Sequence, residues 1–155
     1  GETPAKKRVS NCTIQKKQQM SEFIDELVGN FELLGDWEER FSYLIELGKN
    51  LPLLEPEEKI EANRVYGCQA TVHLHMISNL DKPPVFTIRA DADAFIVKGL
   101  ISILLLLYND KTAEEIIKTD ALEVFGKLGL DKHLTMTRRN GLSSMIERIN
   151  ALATL

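Results

Sequence analysis

The fifteen residues from Ala94 to Tyr108 are apolar on nearly every side, with Lys98 and Ser102 as the few polar positions. A helix of that character belongs at the centre of a fold, covered on several sides, because no face of it can be left to water. The run is also far too short to span a bilayer, which needs about 20 apolar residues. The rest of the chain must therefore supply the cover.

The segments before it offer a sheet. From Thr71 to Met76, Val72, Leu74 and Met76 alternate with Thr71, His73 and His75. Phe86, Ile88 and Ala90 alternate in the same way with Val85, Thr87 and Arg89. Period-two patterns joined by the loop Ser78–Pro84 predict an antiparallel hairpin. Arg64–Tyr66 is a candidate third strand.

The remaining segments read as helices. Ser21 is a good N-cap for a helix carrying Phe23, Ile24, Leu27, Val28, Phe31 and Leu34 on one stripe. Asp36 with Glu39 predicts a capped second helix that shows Trp37, Phe41, Leu44 and Leu47 inward, with Gly48 as its left-handed stop. Pro56 suits the first turn of a short polar helix over Glu57–Ala62. Thr112 with Glu115, then Asp120 or Ala121, open two short helices, and Gly129 ends the second. A last helix starts after Thr135 or Thr137 and buries Leu142, Met145, Ile146, Ile149 and Leu152. The order of helices, short antiparallel sheet and helices predicts an α+β fold, with about three strands and the helices packed on one face.

At 155 residues, with 44% hydrophobic and 27% charged residues, the chain suits a single domain with an ordinary core. Residues 1–19 lack apolar periodicity and read as a flexible leader or an expression remnant, leaving 20–155 as the domain. The net charge of −4 argues against general nucleic-acid binding. The leader is basic, so the body is acidic enough to dock on a basic surface. Two cysteines, Cys12 and Cys68, make no disulfide framework and no C-x-x-C motif. A reducing, cytoplasmic compartment is the simplest setting, with an organellar stroma or matrix as the alternative. No membrane segment is expected.

The chemistry gathers at Gly67-Cys68-Gln69. Taken alone, a free cysteine is more often buried than reactive. Gly67 permits unusual backbone angles, and Asn63, Arg64 and Gln69 give the thiol a polar, turn-like setting. Reactivity needs the thiolate, and a free thiol with a pKa of about 8.5 supplies little of it at neutral pH. Arg64, Lys98, Arg138 and Arg139 are the cations that folding could bring near. His73 and His75 read as solvent-facing strand residues, and no metal site is expected. His133 is a candidate partner for a Cys–His pair. Asp91 and Asp93, just before a helix, read most simply as N-terminal capping residues. Arg138-Arg139 oppose the dipole of the last helix, which favours a binding role for one of them.

Several stretches in order resemble the motifs of SufE-type sulfur acceptors. They are Asp36-Trp37-Glu38-Glu39-Arg40, Leu44-Ile45-Glu46-Leu47-Gly48-Lys49, Asn63-Arg64-Val65 and Gly67-Cys68-Gln69. Further along come Ala90-Asp91-Ala92-Asp93-Ala94, Ile96-Val97-Lys98-Gly99-Leu100, Gly129-Leu130 with His133-Leu134-Thr135, and Thr137-Arg138-Arg139-Asn140-Gly141-Leu142. The series covers about Ser21 to Ala153. Thr71-Val72-His73 departs from it, since Gln-Val-Trp is common there, and Ala92 replaces a usual serine.

The resemblance implies a fold shared with IscU-type iron–sulfur scaffolds and a sulfur acceptor rather than a stand-alone enzyme. Cys68 would take persulfide sulfur from a pyridoxal-phosphate cysteine desulfurase, stimulate that enzyme, and pass the sulfur to an iron–sulfur cluster assembly complex. The protein would carry no cofactor of its own. Arg138 would steer or stabilise sulfur anions, Asp93 would lock the cysteine loop, and Gln69 would hold the loop backbone beside Gly67. The main alternative is a non-catalytic adaptor that regulates a desulfurase by binding alone. A cluster scaffold is disfavoured because clusters need about four donors and the body has one cysteine. A thiol that must avoid oxidation yet meet a partner is expected to sit partly buried on a movable loop.

Overall fold

The computed structural model describes residues 4–155, with side chains from residue 19 onward. Cys12 and nearly all of the leader expected over 1–19 therefore lie outside the described side chains. Helix α1 (Pro4–Leu33) runs through Ser21, which is not its N-cap. Helix α2 (Trp37–Lys49) follows, and the Asp36 side chain caps it by accepting from the Glu39 N–H at 2.8 Å. The Glu39 carboxylate returns to the Gly35 N–H.

Two single-turn 3-10 helices, Pro56–Glu58 and Glu61–Asn63, replace the short helix expected there. They lead into β1 (Arg64–Val65), β2 (Val72–Ser78) and β3 (Val85–Ala92), then α3 (Phe95–Tyr108) and β4 (Lys111–Thr112). The strands form one antiparallel sheet in the order β1-β2-β3-β4. The fourth strand is a correction to the expected three. It is only two residues long, and Lys111-Thr112 shows no alternation to read. The chain closes with α4 (Ala113–Lys118), α5 (Ala121–Lys127), α6 (Leu130–His133) and α7 (Met136–Ala153).

The apolar helix α3 is central. Leu100, Ile101, Ile103, Leu104 and Leu107 are each only 1% exposed. Its two polar side chains are used, Lys98 on Asp91 at 3.5 Å and Ser102 on the Leu47 carbonyl at 2.9 Å. Gly48 does not stop α2. It lies buried inside that helix, where an added Cβ would come within 2.7 Å of Lys98 and Gly99. A Cβ on Gly99 would in turn strike the Leu44 carbonyl. The two glycines let α2 and α3 cross almost backbone to backbone.

Val72, Leu74, Ile88 and Ala90 face this helical layer. The opposite face of the sheet is only partly open to water, because the 3-10 turns cover part of it. His75 sits 3.3 Å from Glu58 and is half-buried, so the solvent-facing reading of the strand histidines is corrected. Arg89 grips Glu58 through two bonds of 2.7 and 3.0 Å and donates to the Leu53 carbonyl. The grip holds the Glu58 carboxyl at a pKa of about 2, chiefly through Arg89. No helix among the described residues is long and apolar enough to cross a membrane.

Candidate functional site

The Cys68 loop begins where β1 ends. Gly67 has φ +90°, a left-handed value that favours glycine, and a Cβ there would strike Ser144 of α7. This turn puts Cys68 against α7, where its Sγ donates to the Gly141 carbonyl at 3.5 Å. Gly141 makes the seat: an added Cβ would lie 3.2 Å from the Cys68 Sγ. Past the thiol, Asp93 pins the loop twice. Its carboxylate accepts from the Thr71 N–H at 2.9 Å, and its own N–H donates to the Thr71 carbonyl at 3.2 Å.

A cavity of about 320 Å³ opens beside the thiol. Ala70, Ala94, Val97, Leu100, Leu142 and Met145 give it an apolar wall. Gln69, Asp93, Thr137 and Arg138 supply the polar one. Thus Cys68, Gln69, Asp93 and Arg138, widely separated in sequence, line a single space, and Gly67 makes the turn that allows it. Arg138 stands half-buried in the first turn of α7, where its backbone N–H donates to Thr135 Oγ1. Its guanidinium has no hydrogen bond or ion pair among the described residues.

Burial pushes the Cys68 thiol above its ordinary pKa, and the charge of Arg64 pulls it back part of the way. The bond to the Gly141 carbonyl also suits the protonated form, since a carbonyl can only accept. At rest the site holds a protected thiol, half-buried as expected.

Two readings from the sequence are corrected. Asp91 and Asp93 do not cap α3, whose N-cap is Ala94 with no side-chain bond. Asp91 ends up as the buried partner of Lys98 and Lys59, and Asp93 turns back to the cysteine loop. His133 stacks on Trp37, ring centroids 3.7 Å apart, and does not line the Cys68 cavity. A Cys68–His133 pair therefore has no support in the geometry. Among the described residues, no group of three or more His, Cys, Asp or Glu is placed to hold a metal ion. The sequence pointed to no functional role for Gly141, and to Thr137 only as a candidate helix start. A glycine inside a predicted helix, four residues before the buried Met145, was the available signal for the first.

The family model "SufE: Fe-S metabolism associated domain" matches residues 25–153. The chain belongs to the SufE family. Two similar relatives are uncharacterized SufE-like proteins of Rhizobium. One, from Rhizobium meliloti (strain 1021), is 43% identical over 131 residues, covering 84% of this chain and 94% of that protein. The other, from Rhizobium etli, is 43% identical over 127 residues, covering 81% of this chain and 86% of its own length. A solution structure of a hypothetical protein from Thermus thermophilus superposes with a TM-score of 0.65 at 20% identity, covering 84% of this chain and 93% of that one. It supports the α+β fold alone. In this SufE-family chain the matched region contains every residue of the Cys68 cavity.

Proposed function

We propose that this protein accepts sulfur from the persulfide of a pyridoxal-phosphate cysteine desulfurase onto Cys68, and delivers it to an iron–sulfur cluster assembly complex. The observation that carries the reading is a half-buried thiol opening on a cavity walled by an unpaired arginine, within a SufE-family domain.

The Cys68 thiolate attacks the outer sulfur of the desulfurase persulfide. A bond forms between Cys68 Sγ and that sulfur, the donor's S–S bond breaks, and the donor cysteine leaves as a thiolate. The thiol proton goes to solvent or to the leaving sulfur. No electrons are gained or lost overall, because the transferred sulfur keeps its oxidation level. As in thiol–disulfide exchange, the rate follows the thiolate fraction, the leaving-group pKa and access to the correct sulfur. Arg138 faces the arriving sulfur and stabilises the persulfide anion. Asp93 holds the loop closed through Thr71 until the partner engages, and Gln69 and Gly67 shape the turn. Drawing the sulfur off the donor frees the desulfurase for another turnover, which is the stimulation expected.

The test is intact mass after incubation with a cysteine desulfurase and free cysteine. A gain of about 32 Da, lost on reduction and mapped to Cys68, is expected from one added sulfur. An unmodified wild-type protein under conditions that turn the desulfurase over would overturn the acceptor reading. The C68S variant separates the adaptor alternative: an adaptor keeps its stimulation without the thiol, whereas an acceptor loses it.

A further inference from the structure

The cavity beside Cys68 is far larger than the transfer of one sulfur requires. A cavity needs only about 10–15 Å³ to admit a water molecule, and a sulfur atom is little larger. This one holds about 320 Å³, at the low end of the ~300–1,000 Å³ usual for small-molecule pockets. It also has their make-up, an apolar wall with a few polar groups around a thiol. Charge of both signs is free on the lining. The Arg138 guanidinium has no hydrogen bond or ion pair among the described residues. Asp93 accepts from the Thr71 N–H through Oδ1 alone, which leaves its Oδ2 without a partner among the described residues. Both residues line the cavity, yet they form no ion pair with each other.

We propose that this cavity binds a small α-amino-acid persulfide of the cysteine class, its carboxylate on Arg138, its ammonium on Asp93 and its outer sulfur at Cys68. A zwitterion is the ligand that uses both charges at once. A guanidinium takes a carboxylate through two parallel hydrogen bonds, and the apolar wall takes the methylene. A cysteine inside a polypeptide carries neither terminal charge and gains nothing from the pair. Such a ligand gives sulfur a second entry that bypasses the protein donor. The Cys68 thiolate attacks its outer sulfur, a bond from Sγ to that sulfur forms, and the ligand's S–S bond breaks. Free cysteine leaves as a thiolate and takes up the proton that the Cys68 thiol gave up. The sulfur keeps its oxidation level, so no electron carrier is required. Once the cysteine departs, Arg138 is released to the persulfide left behind. The fate of that sulfur rests on the acceptor reading above, but recognition of the zwitterion does not.

The experiment omits the desulfurase and follows Cys68 by peptide mass, so that Cys12 makes no contribution. Three symmetrical disulfides serve as probes: cystine with both charges, cystamine with the ammonium only, and dithiodipropionate with the carboxylate only. Each rate of mixed-disulfide formation is divided by that of a short peptide containing Gly-Cys-Gln, which removes differences in leaving-thiol pKa. Wild-type protein should prefer cystine over both singly charged probes. R138M should lower the cystine and dithiodipropionate ratios about tenfold and leave that of cystamine no lower. D93N should lower the cystine ratio about threefold relative to dithiodipropionate, a comparison that loosening of the loop does not move. R138K should keep most of the cystine preference, and R138Q serves if far-UV circular dichroism shows that R138M does not fold. Cysteine persulfide, made from cystine and sulfide, should add about 32 Da to Cys68 unaided. The proposal is overturned if wild type shows no preference for cystine, or if folded R138M or R138Q keeps it unchanged. If the desulfurase loads Cys68 while that preference is absent, only the ligand falls. A cystine preference in a protein that the desulfurase cannot load removes the acceptor reading and leaves the ligand standing.

Discussion

Cys68, the proposed acceptor, is half-buried, and two contacts restrain it. The Gly141 carbonyl accepts from the thiol, and Asp93 ties the following backbone to the turn before α3, while the charge of Arg64 works the other way and partly offsets the burial. The Asp93–Thr71 bond is exposed, so its net worth is about 1 kcal/mol. Removing it in D93A should raise local opening of the loop roughly fivefold. Amide exchange at Thr71 and alkylation of Cys68 should both quicken by about that factor, with little change in global stability. D93N retains an acceptor oxygen and should lie between. An alkylation rate in D93A equal to wild type would show that the loop is held by other contacts. Cysteine, glycine, aspartate and arginine were each legible from local sequence and family resemblance. Their contacts were not, since Thr71 and Asp93 lie 22 residues apart and Cys68 and Gly141 lie 73 apart.

Among the elements, the α2–α3 crossing governs how firmly the site is backed, because α3 carries Val97 and Leu100 to the cavity wall. The crossing depends on Gly48 and Gly99. A Cβ on Gly99 would meet main-chain atoms of Leu44, which cannot swing aside as a side chain would. G99A is therefore expected to destabilise by about 1–3 kcal/mol, despite alanine's better helix propensity. Thermal denaturation should report a fall of about 2–4 °C for each kcal/mol in a chain of this size. A G99A protein as stable as wild type would contradict the tight crossing. Capping was the most readable feature at this scale. Asp36, Thr112, Asp120 and Thr135 all accept from the backbone N–H three residues on, as their short polar side chains dictate. Gly48 misled because a glycine near a helix end looks alike whether it supplies a left-handed cap or a close approach.

Across the whole molecule, the sheet is held between two unlike covers. One is the helical core around α3. The other is a polar clamp in which Glu58 binds Arg89 and approaches His75, locking the 3-10 segment that leads into β1 and the cysteine loop. The folded Glu58 pKa of about 2 lies below its ordinary 4.5. Its stabilising contribution is thus fully present above pH 4.5 and is lost as pH falls through about 2. E58Q should be less stable than wild type at neutral pH, and the gap should close between pH 4.5 and 2 in urea titrations. A gap that stays constant over that window would remove the clamp as an acid-sensitive element.

By itself the sequence determined the element types, most caps, the α+β order and the family, and it singled out Cys68 as the proposed acceptor. Those properties follow from hydrophobic period, turn chemistry and short side-chain bonds, all set within a few residues. Only the tertiary structure decided that Asp91 pairs with lysines while Asp93 turns to the cysteine loop, that His133 stacks on Trp37, and that Arg138 lines the cavity beside the thiol. Charge and aromatic contacts act over a few ångströms of space and carry no fixed spacing along the chain. The lone thiol at the Gly67 turn was visible from the outset. Its seat on Gly141 and the arginine beside its cavity exist only once α7 has packed against the end of β1.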